Sequence, residues 1–184
     1  NMKLSVIIST YNSEEWLRKV LLGYAAQTEK DFEIIIADDG SSEKTKEVID
    51  KLRNTFKNPL QHIWHEDLGF RKCRILNLAI LKSKTDYLLF TDGDCIPRKD
   101  FVAMHLKNKQ EGYFLSGGYF KLPMTISKSI NDENILNDEV NESSKKPLDT
   151  LLLPAYKNAI TNSAFIEKYL KKETINKNDL KIVD

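Results

Sequence analysis

Short runs of aliphatic, mostly β-branched residues alternate with stretches of helical spacing, and this alternation limits the fold more than any other feature. LSVIIST (residues 4–10) is too short for a buried helix and shows no polar alternation, so it is read as a strand buried on both faces. EIIIA (33–37) and DYLLFT (86–91) read the same way, and LQHIW (60–64) is a weaker strand candidate. Between them, SEEWLRKVLLGYAAQ places Leu17, Val20, Leu21, Tyr24 and Ala25 on one helical face, with Ser13 as its N-cap. SEKTKEVIDKLRN does the same with Thr45, Val48, Ile49 and Leu52, and RKCRILNLAILKS gives a third helix. A helix over about residues 100–109 and a strand near 113–116 complete the pattern. Strands alternating with helices require right-handed crossovers and a mostly parallel sheet covered on both faces, a three-layer α/β/α fold. No internal repeat is present.

Three of the apolar runs end in polar clusters: Thr10-Tyr11-Asn12, Asp38-Asp39-Gly40-Ser41 and Asp92-Gly93-Asp94. In a parallel sheet the C-terminal strand ends share one edge, so clusters distant in sequence converge on the crevice where such sheets bind ligands. Each cluster alone reads as turn and cap chemistry. Their coincidence points to a site. Asp92 and Asp94, if extended, face the same side, and Gly93 removes the side chain between them. Two hard carboxylates, completed by water and phosphate, suit Mg²⁺ or Mn²⁺, which would neutralise charge developing on a diphosphate leaving group. The competing reading is a solvated acidic turn.

Other candidates carry weaker signals. Arg71, Lys72 and Arg74 open a helix where positive charge opposes the dipole, a cost an anion would offset; a solvated basic face explains them equally well. His105, four residues after Phe101, reads as a partly buried structural residue; His65, opening the loop HEDLGF, could line the crevice, although a loop histidine is usually solvated. Cys73 and Cys95 have no CxxC spacing and read as small core or near-core residues of a protein in a reducing cytoplasm. The 28 basic and 27 acidic side chains nearly cancel, which argues against nucleic acid as a partner. No apolar run approaches a membrane span, no signal peptide is expected, and Asn1 ahead of Met2 reads as a tag remnant. After about Thr125, NDENILNDEVNESSKKP reads as a surface loop or partly ordered segment. Residues 148–172 regain helical character, with Tyr156, Ile160, Phe165, Ile166, Tyr169 and Leu170 able to dock on the sheet domain, and the tail from Thr174 reads as frayed.

LSVIISTYN, QTEKDFEIIIADDGSSEKT and DYLLFTDGDCIPRKDF, in this order and spacing, resemble the family-2 glycosyltransferases with the GT-A fold, a Rossmann-like sheet. HEDLGFRKCRILNLAI further resembles bacterial chondroitin-polymerase-type and surface-polysaccharide members. The resemblance spans about residues 3–122. It implies a nucleotide-sugar-binding domain over 2–124, with 125–184 a helical and irregular extension packed on it. It implies inverting, metal-dependent transfer from a nucleotide-diphosphate sugar, foremost a UDP-sugar, to a glycan or lipid-linked acceptor. A lipid-linked acceptor would add peripheral contact with the inner membrane face. Thr10, Tyr11 and Asn12 would line the nucleotide pocket, and Asp38 and Asp39 would include the carboxylate that meets the base or ribose. Asp92 would face the ribose side, Asp94 would be the more direct metal ligand, and Arg71 and Arg74 would meet the nucleotide or diphosphate.

The sequence also departs from the family pattern. Where many relatives carry Arg-Asn late in the Gly-Phe helix, this chain has Leu76-Asn77. The Trp-containing Glu-Asp stretch that supplies the catalytic base is not found, because Trp16 and Trp64 both lie in the donor half. Either the chain is a shortened reading frame, or its acceptor half is reduced or comes from elsewhere. Two rivals follow. One is a module that binds nucleotide sugar without turnover. The other is a sugar nucleotidyltransferase, opposed by the glycine-free loop after the first run.

Overall fold

The computed structural model describes residues 2–117, 119 and 121–140. Four parallel strands, β1 (Leu4–Thr10), β2 (Phe32–Asp38), β3 (Leu60–Trp64) and β4 (Leu88–Asp92), lie in the order β3-β2-β1-β4. The helices are α1 (Glu14–Ala25), α2 (Glu43–Arg53), α3 (Lys72–Lys82), α4 (Phe101–Asn108), α5 (Met124–Ser129) and α6 (Asp132–Leu136). The chain builds outward from β1 to β3, then returns to place β4 on the opposite side of β1. That reversal is a topological switch point. It opens a crevice beyond the C-terminal ends of β1 and β4, where Ser9 pairs with Asp92 and Thr10 with Asp38.

Both central strands are buried along their whole length, which is why they lack polar alternation. Their side chains alternate between two cores. Val6, Ile8, Ile34 and Ile36 pack with Leu17, Val20, Leu21 and Tyr24 of α1, Ile49 of α2 and Val102 of α4. Ile7, Ile35 and Ala37 pack on the other face with Ile75, Ala79 and Ile80 of α3. Each fully buried Ile or Leu contributes roughly 1.5–3 kcal/mol, so these two layers fix the strand ends that carry the polar clusters. At the opposite edge, Glu33 is fully buried, and its carboxylate accepts from Ser5 Oγ (2.6 Å), Lys84 N (2.6 Å) and Gln61 Nε2 (3.1 Å). This pins the α3–β4 connection onto the sheet.

The structure corrects four expectations. Residues 113–117 form no strand; a strand needs a ladder partner, and none of the described residues pairs with this segment. The polar segment after Thr125 is not simply a loop. Asn131 and Asn134 form a reciprocal capping box that starts α6, Ile135 and Ile130 pack on Leu22 of α1, and Arg18 makes a bidentate pair with Asp132. Ser13 occupies the N-cap of α1, but its hydroxyl donates to Tyr11 O (3.0 Å) and accepts no bond from a helix N–H. Cys73 is exposed on α3 rather than in the core, whereas Cys95 is half-buried and its thiol is pushed up to about 11, chiefly by burial. His105 is a structural residue as expected: it meets the Phe101 ring edge-on at 4.8 Å, and burial lowers its pKa. The expected helical segment at 148–172 and the tail lie outside the described residues. No helix among the described residues is long and apolar enough to cross a membrane.

Candidate nucleotide-binding crevice

The switch-point crevice has a volume of about 550 Å³. β1 and its loop bring Ser9, Thr10, Tyr11 and Ser13, and the start of α1 adds Trp16. β2 contributes Asp39, the β3–α3 loop Asp67, Gly69 and Phe70, α3 Lys72, and the end of β4 Asp92, Gly93 and Asp94. Of the residues singled out from sequence, Thr10, Tyr11, Asp39, Asp92, Gly93 and Asp94 therefore meet in one cavity.

Asn12, Asp38, Arg71 and Arg74 lie outside the crevice lining. Asn12, in the left-handed region (φ 44°), is a clamp between loops: its N–H donates to Ser41 Oγ (2.9 Å), and its side chain accepts from Ser42 N (2.9 Å). Asp38 is turned inward and only 1% exposed, accepting from Ser41 N (2.8 Å) and pairing with His62 Nε2 (2.8 Å). Asp39 is the member of the pair that reaches the cavity. His65 Nε2 (2.6 Å) and the Arg71 backbone N–H (3.0 Å) hold its two oxygens. His65 is thus buried beneath the site, not solvated as its loop position suggests. The Arg71 guanidinium donates to Glu66 O (2.5 Å), and Arg74 is exposed.

Two glycines are required by packing. A Cβ on Gly40, whose φ is +94°, would fall 2.6 Å from Asp67 Cα, so only glycine lets the β3–α3 loop cross here. That loop is fastened by Tyr11 OH donating to Asp67 Oδ2 (2.8 Å) and Gly69 N donating to Asp67 Oδ1 (3.1 Å). Both bonds hold the Asp67 carboxyl below its ordinary pKa. A Cβ on Gly93 would meet Ser9 O at 2.9 Å and Thr10 Oγ1 at 3.2 Å. Gly93 therefore makes room for β1 rather than directly for a ligand.

Asp92 and Asp94 reach the cavity through a turn, not through strand alternation. Asp92 ends β4, and Cys95 N donates to Asp92 O (3.2 Å) across Gly93 and Asp94. Asp92 Oδ1 accepts from Ser9 Oγ (2.7 Å) and Lys72 Nζ (2.6 Å), and these contacts, Lys72 foremost, lower its pKa. Four carboxylates thus face one ammonium in the lining. The lining is therefore acidic, and a further cation there would offset the charge of a bound diphosphate. Asp92 and Asp94 supply hard oxygen donors, and no third His, Cys, Asp or Glu joins them among the described residues. That donor set fits a Mg²⁺- or Mn²⁺-class ion that keeps water and phosphate ligands. Beside it, the buried Thr10 hydroxyl has no protein partner.

Of Arg71, Lys72 and Arg74, weighed together as anion contacts, Lys72 is the one that lines the crevice, and the helix register marks it out. It precedes Ile75 and Ala79 by three and seven residues, and those two face the sheet. Arg74 lies off that stripe, and Arg71 is the N-cap residue, whose backbone (φ −130°, ψ 35°) is not helical.

The model of the family described as glycosyl transferase family 2 matches residues 5–165. The chain belongs to this family. Among family relatives, the uncharacterised glycosyltransferase YfnE of Bacillus subtilis is 35% identical over 123 residues, covering 65% of this chain and 31% of that protein. The poly(ribitol-phosphate) β-N-acetylglucosaminyltransferase TarS of Staphylococcus aureus is 33% identical over 95 residues, 50% of this chain and 16% of that protein. The chondroitin synthase of Escherichia coli is 30% identical over 105 residues, 56% of this chain and 15% of that one. The chain therefore spans about a third or less of the length of these relatives. A crystal structure of TarS 1–349 with UDP is similar at 30% identity and a TM-score of 0.50, over 58% of this chain and 31% of that one. The mannosyltransferase PcManGT of Pyrobaculum calidifontis, solved with GDP-Man and Mn²⁺, shares the fold at 24% identity and a TM-score of 0.52, over 57% of this chain and 31% of that one. The four-stranded parallel sheet with its flanking helices is the GT-A fold of these transferases.

Proposed function

We propose that this chain is the donor-binding half of a glycosyltransferase that uses a nucleotide-diphosphate sugar, foremost a UDP-sugar, together with a divalent cation. The observation that carries the reading is the crevice itself: Asp92 and Asp94 meet Thr10, Asp39 and Lys72 at the switch point of a family-2 chain. The 30%-identical TarS structure with UDP supports the class of nucleotide. Exposed Tyr11 and Phe70 offer aromatic surfaces at the cavity for the base, and Asp39 offers a carboxylate for the base or ribose.

Asp92 and Asp94 would hold the cation, which when bound neutralises negative charge on the diphosphate. In an inverting transfer the acceptor hydroxyl attacks the anomeric carbon, and its proton passes to a general base. The bond from that carbon to the diphosphate breaks on the opposite face, and its electron pair leaves with the diphosphate. Thr10 and Lys72 offer a hydroxyl and an ammonium to the departing oxygens. The names of TarS and chondroitin synthase support a polymeric acceptor and a role in polysaccharide assembly; a lipid-linked acceptor and a role in glycolipid assembly are the alternative within this proposal.

A thermal-shift panel of UDP, UDP-sugars and GDP-mannose, with and without Mn²⁺, tests the reading. Ligand at a hundredfold excess over Kd stabilises the fold by about 2.7 kcal/mol, which raises the melting temperature by several degrees. A flat response across the panel refutes the donor site.

A further inference from the structure

Lys72 is the one basic side chain lining the crevice among the described residues, and it contacts Asp92, one of the two carboxylates offered to the cation. Resting on the donor-site reading above, we infer that Lys72 is a resident counter-cation that competes with the divalent ion for Asp92, and so couples metal binding to nucleotide-diphosphate binding. The ammonium sits 2.6 Å from Asp92 Oδ1, and Ser9 Oγ donates to the same oxygen from 2.7 Å. A divalent ion arriving between Asp92 and Asp94 meets a positive charge already fixed on one of its ligands. The bare ion is therefore bound weakly.

A diphosphate changes this balance. Its oxygens accept the ammonium, and the flexible four-carbon stem of lysine lets Nζ move from Asp92 to phosphate without disturbing α3. The ion pair is 37% exposed on the lysine side and 57% on the aspartate side, so it is screened and exchanges readily. Once Lys72 turns to phosphate, Asp92 is released to the metal, and the metal in turn neutralises the remaining phosphate charge. Each ligand raises the affinity of the other by the same factor, as linkage requires. The Lys72–Ile75–Ala79 stripe aims the side chain here, because Ile75 and Ala79 are locked against β1 and β2.

The test measures Mn²⁺ binding by the EPR signal of the free ion, with and without UDP, for the wild type, Lys72→Met and Lys72→Arg. UDP affinity is measured in parallel by calorimetry, and thermal melts verify that each variant is folded. Lys72→Met is expected to bind bare Mn²⁺ about tenfold more tightly and UDP about tenfold more weakly, with the coupling factor reduced about tenfold but still above one, because the metal and the diphosphate still attract each other directly. Lys72→Arg, which keeps the charge, retains coupling. If the wild type shows metal-linked UDP binding and Lys72→Met has unchanged bare Mn²⁺ affinity and unchanged coupling, the role of Lys72 is overturned while the donor site stands. If the wild type binds no UDP, both fall together.

Discussion

Asp38 and Asp39 are adjacent in sequence yet have separate duties, and replacing Asp38 tests that division. In Asp38→Ala, Ser41 N–H and His62 Nε2 lose their acceptor at a position only 1% exposed. Hydrogen bonds to a charged group are worth about 1.5–3 kcal/mol each, and an orphaned buried donor costs about 1–3. Because the loop can relax around Ser41, the net loss is expected near 3 kcal/mol, a fall of about 6–12 °C in melting temperature for a chain of this size. Asp38→Asn should cost only about 1 kcal/mol. Its amide oxygen still accepts from Ser41 N, and its NH₂ can donate to His62 if the ring switches tautomer. Urea and thermal unfolding followed by circular dichroism read the stability; calorimetric titration with UDP and Mn²⁺ reads the site. Asp38→Asn should keep the UDP affinity of the wild type, whereas Asp39→Asn should weaken it. The reasoning fails if Asp38→Ala melts within a degree of wild type, or if Asp38→Asn loses UDP while Asp39→Asn retains it.

Two further outcomes follow from the packing. Gly93→Ala forces a methyl against Ser9 O, a backbone atom fixed in the sheet, so urea unfolding should show a loss of about 1–3 kcal/mol. His105 is buried with its pKa below the ordinary 6.5, so between the two values the unfolded chain binds more protons than the folded one. Stability is then complete above about pH 6.5 and falls as pH drops toward the folded-state value; His105→Phe should flatten that part of the stability–pH curve relative to wild type.

The sheet was legible because β1 and β2 are buried on both faces and so are written as unbroken aliphatic runs. The crevice was legible because three strand ends carry polar clusters, and a parallel sheet gathers strand ends on one edge. What escaped depends on which way a side chain turns. Asp38 and Asp39 cannot be told apart without knowing that His62 lies beside one on β3 and His65 beneath the other. Asp92 and Asp94 converge through the turn closed by Cys95 N, a geometry that strand alternation does not describe. Gly93 looked like space for a ligand and is space for Ser9 O. The aromatic run at 113–116 has strand composition but finds no ladder among the described residues, and composition does not provide a partner. Lys72 was weighed beside Arg71 and Arg74, and extending the sheet-facing stripe of α3 back one turn separates it from Arg74.

Calorimetric titration of UDP in the presence and absence of Mn²⁺, for the wild type and Asp94→Asn, tests the central claim most directly. The account predicts metal-dependent binding by the wild type and an affinity at least about tenfold weaker, or more than about 1.4 kcal/mol lost, in a folded Asp94→Asn. Equal UDP affinity after removal of metal with EDTA, or an Asp94→Asn variant that binds UDP and Mn²⁺ like the wild type, would contradict it.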